Sequence, residues 1–75
     1  MAEDGRAYIK VCDSEFTKKY YVYDVSDRVT EIYEAPVNAA NGAPCMKTTI
    51  GYWTTTTKVK LVVHSASTWN TAWEA

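Results

Sequence analysis

Five short runs of β-branched and aromatic residues, separated by polar or turn-forming stretches, pass through this 75-residue chain. Val, Ile, Thr, Tyr and Trp suit a pleated, half-buried surface, and leucine occurs only once, at Leu61. The runs cover residues 6–12, 16–25, 29–35, 46–53 and 58–64. We therefore predict one all-β domain over residues 1–75, with about five antiparallel strands in a small meander, barrel or sandwich.

Alternation within the runs predicts which side chains point inward, because successive strand residues face opposite sides of a sheet. The second run has aromatic or apolar residues on both sides, as in a central strand or a strand covered by a partner. The fifth run alternates most clearly, with Lys58, Lys60 and Val62 on one side. We expect the residues on its other side to face the core: Val59, Leu61 and Val63.

A loop is predicted over residues 36–44, which combine small residues, an Asn-Gly pair and a proline at each end. Pro36 lacks a backbone N–H and should end the third strand. Nine residues is longer than an ordinary hairpin connection, and long ordered loops are often functional. This loop, with Asn38 and Asn41, is therefore a candidate contact surface.

The last residues, 65–75, change character and predict a short helical turn. Ser67 or Thr68 could cap it, and Trp69 and Trp73 would then share one face of the turn. Either both indoles close the open end of a small core, or one of them is presented to a neighbouring subunit.

Composition excludes several classes of protein. A hydrophobic fraction of 47% is too high for a disordered chain, and a net charge of −1 excludes a basic nucleic-acid arm. No apolar run approaches the roughly 18 residues of a membrane span. Residues 1–6 are polar and acidic, unlike a secretory signal. We expect a protein that stays in the cytoplasm where it is made, with no membrane partner.

Catalytic and metal-binding patterns are not found in the sequence. His64 is the single histidine, and no nucleophile or carboxylate stands at a spacing that suggests a triad. Cys12, Cys45 and His64 lack the spacing of metal ligands, and the three glycines are isolated. We predict no catalytic, cofactor or metal site, and hence no enzyme. The two cysteines are expected to be reduced, and a single disulfide between Cys12 and Cys45 is the alternative.

The sequence also suggests single-stranded nucleic acid as an alternative partner. Lys18 and Lys19 precede a row of tyrosines, and Lys58 and Lys60 add a second basic strand, which an OB-like barrel could present together. Against this, the net charge is −1 and the pI is about 5.7. A nucleic-acid partner is therefore not expected.

Ten aromatic residues are more than so short a chain can bury. Each buried ring removes about 150–250 Å² from water, and a chain of this length has a radius of gyration of only about 11 Å. Tyr and Trp are enriched at protein interfaces, and strand edges can join copies through main-chain pairing. The predicted interface residues are Tyr20, Tyr21, Tyr23, Tyr52, Trp53, Trp69, Trp73, Asn38 and Asn41.

Residues 29–73 also follow a longer pattern. A strand ends in Glu34-Ala35-Pro36, a loop with Asn41-Gly42-Ala43 follows, and residues 46–50 and 58–63 read as two further strands. A polar stretch over residues 65–67 precedes Trp69-Asn70-Thr71-Ala72-Trp73. In this order the chain resembles small β-rich proteins from the structural-gene regions of tailed bacteriophages, from whose pattern Met46, His64 and Trp69 depart.

The resemblance implies a virion component present in many copies, with no catalytic motif to carry over. Within that class we expect a capsid decoration subunit, because a small β module suits the gaps of a lattice. Its expected partners are the major capsid protein, other virion proteins or copies of itself, and it is expected to assemble in the host cytoplasm. A small tail or neck component is the alternative within the same class, and a regulator of a host enzyme is an alternative outside it.

Overall fold

The structure is a computed structural model that describes residues 9–13, 15–53 and 58–74. Its strands are β1 (Ile9–Asp13), β2 (Thr17–Tyr23), β3 (Val29–Pro36), β4 (Pro44–Tyr52) and β5 (Val59–Thr68), and a 3-10 turn covers Thr71–Glu74. Each strand pairs antiparallel with the next, which makes one open sheet. The predicted all-β, antiparallel character and the C-terminal helical turn are confirmed.

The sheet is a meander and does not close on itself. Its strand order is β1-β2-β3-β4-β5, so β1 and β5 are the two edges and are not paired with each other. The described residues thus form neither the barrel nor the sandwich considered above. The same part of the chain contains no helix with the length and apolar character needed to cross a membrane.

Strand ends follow local chemistry in some places and tertiary pairing in others. β3 ends at Pro36 as predicted. β5, however, continues four residues beyond His64, because Ser65 to Thr68 pair with the start of β4. Ser67 and Thr68 are therefore strand residues, and the prediction that one of them caps the turn is wrong. The side chain of Asn70 caps it instead, accepting a hydrogen bond from the Ala72 amide at 2.9 Å. Residues 54–57, which separate the fourth and fifth runs of the sequence, lie outside the described residues.

The core lies on one face of β2 and β3, which we call the inner face. Alternate β2 residues are buried there, and Tyr20 and Val22 pack with Ala35 of β3 and with Trp69. Trp69 is only 1% exposed, and the Trp73 ring stacks on Tyr20 with 3.8 Å between ring centroids. The two indoles close the core together, as the first of the two alternatives for the C-terminal residues proposed.

Backbone hydrogen bonds hold the C-terminal segment over this face. After β5 the chain turns back, and Trp69 exchanges hydrogen bonds with the loop, from its amide to the Ala43 carbonyl (2.8 Å) and from the Gly42 amide to its carbonyl (2.6 Å). The Thr71 amide donates to the Asn41 side-chain oxygen at 3.1 Å. The loop between β3 and β4 is thus the anchor of the segment that completes the core.

Gly42 provides a test of this anchor. Its φ of +84° lies in the left-handed region, where an added Cβ is disfavoured whatever space surrounds it. We expect Gly42→Ala to lower the free energy of unfolding by about 1 kcal/mol, measured by urea denaturation. Gly51→Ala is the matched control, because a Cβ there makes only an ordinary 3.7 Å contact with Leu61. Equal effects of the two substitutions would contradict the role given to Gly42.

The core does not extend to β5, contrary to the prediction from its alternation. Val59, Leu61 and Val63 are 50%, 58% and 43% exposed. The C-terminal segment turns over β2 and β3, and its 3-10 turn reaches β1, so the inner face of β5 is left uncovered within the described residues. The alternation correctly placed these side chains on one face, but the element that covers that face lies elsewhere.

The cysteines do not form a disulfide within the chain. Cys45 is a free, half-buried thiol at the margin of the core. Cys12 belongs to β1, and two strands separate β1 from β4. At the usual strand spacing this is about 14 Å, about twice the longest Cα separation that a disulfide spans. Burial raises the pKa of the Cys45 thiol, and a hydrogen bond with Ser67 opposes that shift only in part.

Candidate functional site

Four of the nine large apolar side chains that are exposed among the described residues lie along β5. We call this surface the β5 apolar edge and define it by Val59, Leu61, Val62 and Val63, each between 43% and 58% exposed. Leu61 and Val63 lie on the inner face, whereas Val62 lies on the opposite, outer face of the sheet. The apolar surface therefore wraps around both sides of one edge strand. On the neighbouring strand, Met46 adds a further exposed apolar side chain to the outer face.

The charged residues of this edge are confined to one end. Lys58 and Lys60 stand at its start, and no Asp, Glu, Lys or Arg occurs from Leu61 to Thr68. The Lys60 ammonium lies over the Trp53 ring, 4.9 Å from its centroid. Trp53 itself is 49% exposed and closes the end of the β4–β5 hairpin, donating from its amide to the Lys58 carbonyl at 3.1 Å. A cation and an indole thus mark one end of the β5 apolar edge.

His64 lies on the outer face of the same strand. Its Nδ1 is 3.0 Å from the Thr48 hydroxyl oxygen, and the two residues are cross-strand partners. This is a polar pair on an exposed sheet surface. In the part of the chain that is described, no group of three His, Cys, Asp or Glu residues is placed to hold a metal ion.

The nine predicted interface residues separate into three groups. Tyr20 and Trp69 are buried in the chain's own core, and Trp73 is half-buried against them. Tyr21, Tyr23 and Tyr52 are half-buried. Trp53, Asn38 and Asn41 are exposed, although the Asn41 side chain accepts a hydrogen bond from the C-terminal segment. Of the seven aromatic residues proposed as an interface, Trp53 is the one that the structure leaves largely at the surface.

Tyr52 has internal partners that explain its partial burial. Its hydroxyl donates to the Val29 carbonyl at 2.6 Å, and the Arg28 guanidinium lies 4.8 Å from the centre of its ring. Both contacts connect the end of β4 to the start of β3. Tyr52 therefore supports the sheet more than it presents a free phenol.

The apolar residues of β5 are surface residues that the sequence pattern did not reveal. They were assigned to the core because their alternation is that of a half-buried strand. One signal could have corrected the assignment: the fifth run is the last strand of a predicted meander, which makes it an edge. Residues 65–67 also contain no glycine, proline, asparagine or aspartate that would end the strand.

Lys18 is the second residue whose role the sequence did not reveal. It is 3% exposed, and its ammonium donates to Glu74 Oε2 (2.7 Å) and to the Ala39 carbonyl (3.0 Å). The Trp69 indole N–H donates to the same Glu74 oxygen at 2.7 Å. These hydrogen bonds, from Lys18 first and Trp69 second, hold the pKa of Glu74 below its usual value of 4.5. Lys18 is thus a structural cation beneath the C-terminal segment, which removes it from the basic surface considered for nucleic acid.

Comparison with known proteins identifies no relative of this chain. No protein-family model matches it, and no curated protein and no solved structure matches it either.

Proposed function

We propose that this chain is a non-enzymatic structural protein of a tailed-phage virion, a multi-copy capsid decoration subunit that binds repeated protein surfaces. The observation that carries the proposal is the β5 apolar edge. Monomeric soluble proteins seldom expose contiguous apolar patches of more than about a few hundred Å². Patches above that size mark sites of protein interaction. Because the core of this chain is built on β2 and β3, the apolar side chains of β5 lie outside it and remain about half exposed.

The shape of this surface favours a protein partner. An edge strand offers a row of backbone N–H and C=O groups together with its side chains, and a partner strand can use both. Val62 on one face and Leu61 and Val63 on the other would contact a partner that extends the sheet or lies against its edge. Trp53, with Lys60 over its ring, adds an aromatic residue of the type enriched in binding hot spots.

The assignment to a virion depends on the resemblance over residues 29–73. Within that class we favour capsid decoration, because a small β module suits the gaps of a repeated lattice and many copies would each need only one exposed edge. A small tail or neck component is the alternative, and copy number distinguishes the two.

The nucleic-acid alternative loses support from the position of Lys18. A buried ammonium paired with Glu74 is not available to phosphates. The remaining basic residues that were considered do not outweigh a net charge of −1. A protein partner is therefore favoured over an OB-like interaction with single strands.

The proposal predicts that purified virions contain this chain in many copies. Quantitative mass spectrometry of gradient-purified particles should give an abundance comparable to that of the major capsid protein, with a non-structural protein of the same phage as the negative control. Absence from particles would contradict a virion role. A few copies per particle would contradict capsid decoration and support the tail or neck alternative.

A binding experiment links that role to the β5 apolar edge. Particles lacking the chain are incubated with purified wild type, Leu61→Lys or Val25→Lys. Val25 is 66% exposed in the β2–β3 turn, so its substitution adds the same charge far from β5. We expect the wild type and Val25→Lys to bind and Leu61→Lys to lose binding, since a desolvated, unpaired lysine is costly in an apolar contact. Equal binding of both variants would exclude β5 as the contact.

A further inference from the structure

We infer that β5 is a self-pairing edge: two copies of this chain join β5 to β5 in antiparallel orientation about a two-fold axis, continuing their two sheets as one. The inference rests on the proposed assembly role and assigns the β5 apolar edge to a second copy of this chain, so that other virion proteins would contact the dimer through its remaining surfaces. It follows from three properties of β5, namely its unprotected edge, its length and the position of its charges.

From Leu61 to Thr68, β5 lacks the features by which proteins protect strand edges; Lys60 and a register shift lie before this stretch. Natural edge strands are short, bulged, interrupted by proline or marked with charged residues. From Leu61 to Thr68 there is no proline and no Asp, Glu, Lys or Arg. Pairing with β4 continues without interruption over these residues, and the register shift lies beyond them, at Gly51/Tyr52. Among the described residues no strand pairs with the edge of β5 that points away from β4.

Length identifies a second β5 as the strand that fits. β5 has ten residues, about 33 Å of extended chain, whereas the other edge strand, β1, has five. Pairing β5 with the five described residues of β1 in another copy would match only half of its length, and such a head-to-tail contact continues into a ring or an open filament. Pairing β5 with itself satisfies the whole edge and closes after two copies.

Charge selects the antiparallel orientation. Lys58 and Lys60 occupy one end of β5, so a parallel arrangement would set the lysines of the two copies side by side. In an antiparallel arrangement with Val63 on the two-fold axis, Lys60 lies opposite Ala66 of the other copy and Lys58 lies opposite Thr68. No like charges then face each other, which would be destabilising across a strand pair.

This dimer would bury the β5 side chains that are exposed in the single chain. Val63 meets its own copy at the axis, Leu61 flanks it on the same face, and Val62 lies on the outer face opposite His64 of the other copy. A single strand pair is a small interface, so we expect a dimer that dissociates on dilution, with a dissociation constant on the order of micromolar.

Sedimentation equilibrium of the full chain tests the pairing with a matched pair of variants. Val63→Lys places two ammonium groups at the axis and should raise the dimer dissociation constant by about 100-fold or more. Val25→Lys adds the same charge in the distant β2–β3 turn and should sediment as the wild type does. Circular dichroism in the aromatic region confirms in each case that the packing around Trp69 is intact.

Amide hydrogen exchange of the wild type locates the contact independently of any substitution. Exchange of backbone amides within residues 61–68 should slow as protein concentration rises through the dimer dissociation constant, while the amides of residues 24–28 stay unchanged. A wild type that remains monomeric at millimolar concentration would overturn the inference. So would a Val63→Lys variant that dimerises normally, or protection confined to another part of the chain.

These outcomes are separable from those that test the proposed function. A monomeric chain found in many copies on virions would overturn self-pairing and leave the decoration role standing. A β5-paired dimer that is absent from virions would overturn the decoration role and leave self-pairing standing.

Discussion

Replacing Trp69 with alanine is expected to unfold most of the protein at 25 °C. Trp69 is 1% exposed and is the largest of the four apolar side chains that are buried among the described residues. Truncation of a buried tryptophan costs about 3–5 kcal/mol, and a domain of this size has a net stability of only roughly 3–5 kcal/mol. Its ring also packs edge-on against both Tyr20 and Trp73, so the substitution loosens the whole aromatic cluster.

Far-UV circular dichroism during urea denaturation measures this effect. Trp53→Ala is the matched control, because Trp53 is half exposed and the Lys60 ammonium lies over its ring. An exposed cation–π contact contributes about 0.5–1 kcal/mol, so the control should keep a cooperative transition. A Trp69→Ala protein as stable as the Trp53→Ala control would contradict the placement of the core.

Glu74→Gln is expected to destabilise the fold more than Lys18→Met does. Replacing the carboxylate with a neutral amide leaves the buried Lys18 ammonium without its counter-ion, because its other partners, the Ala39 carbonyl and the Trp69 ring, are uncharged. A buried charge without its counter-ion is strongly unfavourable, whereas an apolar replacement of similar volume at the charged position is often tolerated. We expect Glu74→Gln to lower Tm by about 10 °C and Lys18→Met to lower it less.

The double variant Lys18→Met/Glu74→Gln provides the internal control. It removes the buried Lys18 ammonium together with its counter-ion, so it should recover part of the Tm that Glu74→Gln loses. Thermal melts of the four proteins form a double-mutant cycle. Additive effects of the two single substitutions would show that the ion pair does not couple the C-terminal segment to β2.

Acid should abolish the difference between wild type and Glu74→Gln. The hydrogen bonds from Lys18 and Trp69 lower the pKa of Glu74 in the folded protein below its usual value of 4.5. A lowered carboxyl pKa stabilises the fold above the unfolded value, and this contribution is lost as pH falls through the folded value. The Tm difference should therefore be full at neutral pH and shrink below pH 4.5, until the two melting curves converge. A difference that is constant with pH would rule out an ionised Glu74 as its source.

Both substitutions act on one structural element, the segment from Trp69 to Glu74. It brings two indoles and a carboxylate onto β2 and β3, and it is anchored by the loop that contains Asn41 and Gly42. Because this short segment covers only the first strands of the meander, the same contacts that complete the core leave β5 exposed. The stability of the domain and the availability of its candidate interaction surface thus have a common origin.

The positions of the strands and the alternation of their side chains between two faces follow from the local amino-acid sequence. β-branched and aromatic residues at alternate positions favour extended backbone, and Pro36 ends β3 because it cannot donate to the next pair in the sheet. The alternation of the fifth run also placed Val59, Leu61 and Val63 on one face. These are local properties, set by side-chain shape and backbone geometry within a few residues.

Which part of those faces the C-terminal segment covers depends on the tertiary structure. Lys18 and Tyr20 are buried and Leu61 is exposed because residues far away in the sequence, Trp69 to Glu74, turn back over β2 and β3 instead of β5. Burial depends on which distant segment packs against a surface, and alternation within a strand carries no information about that choice. For the same reason, an apolar run that reads as core became the exposed edge on which the proposed function depends.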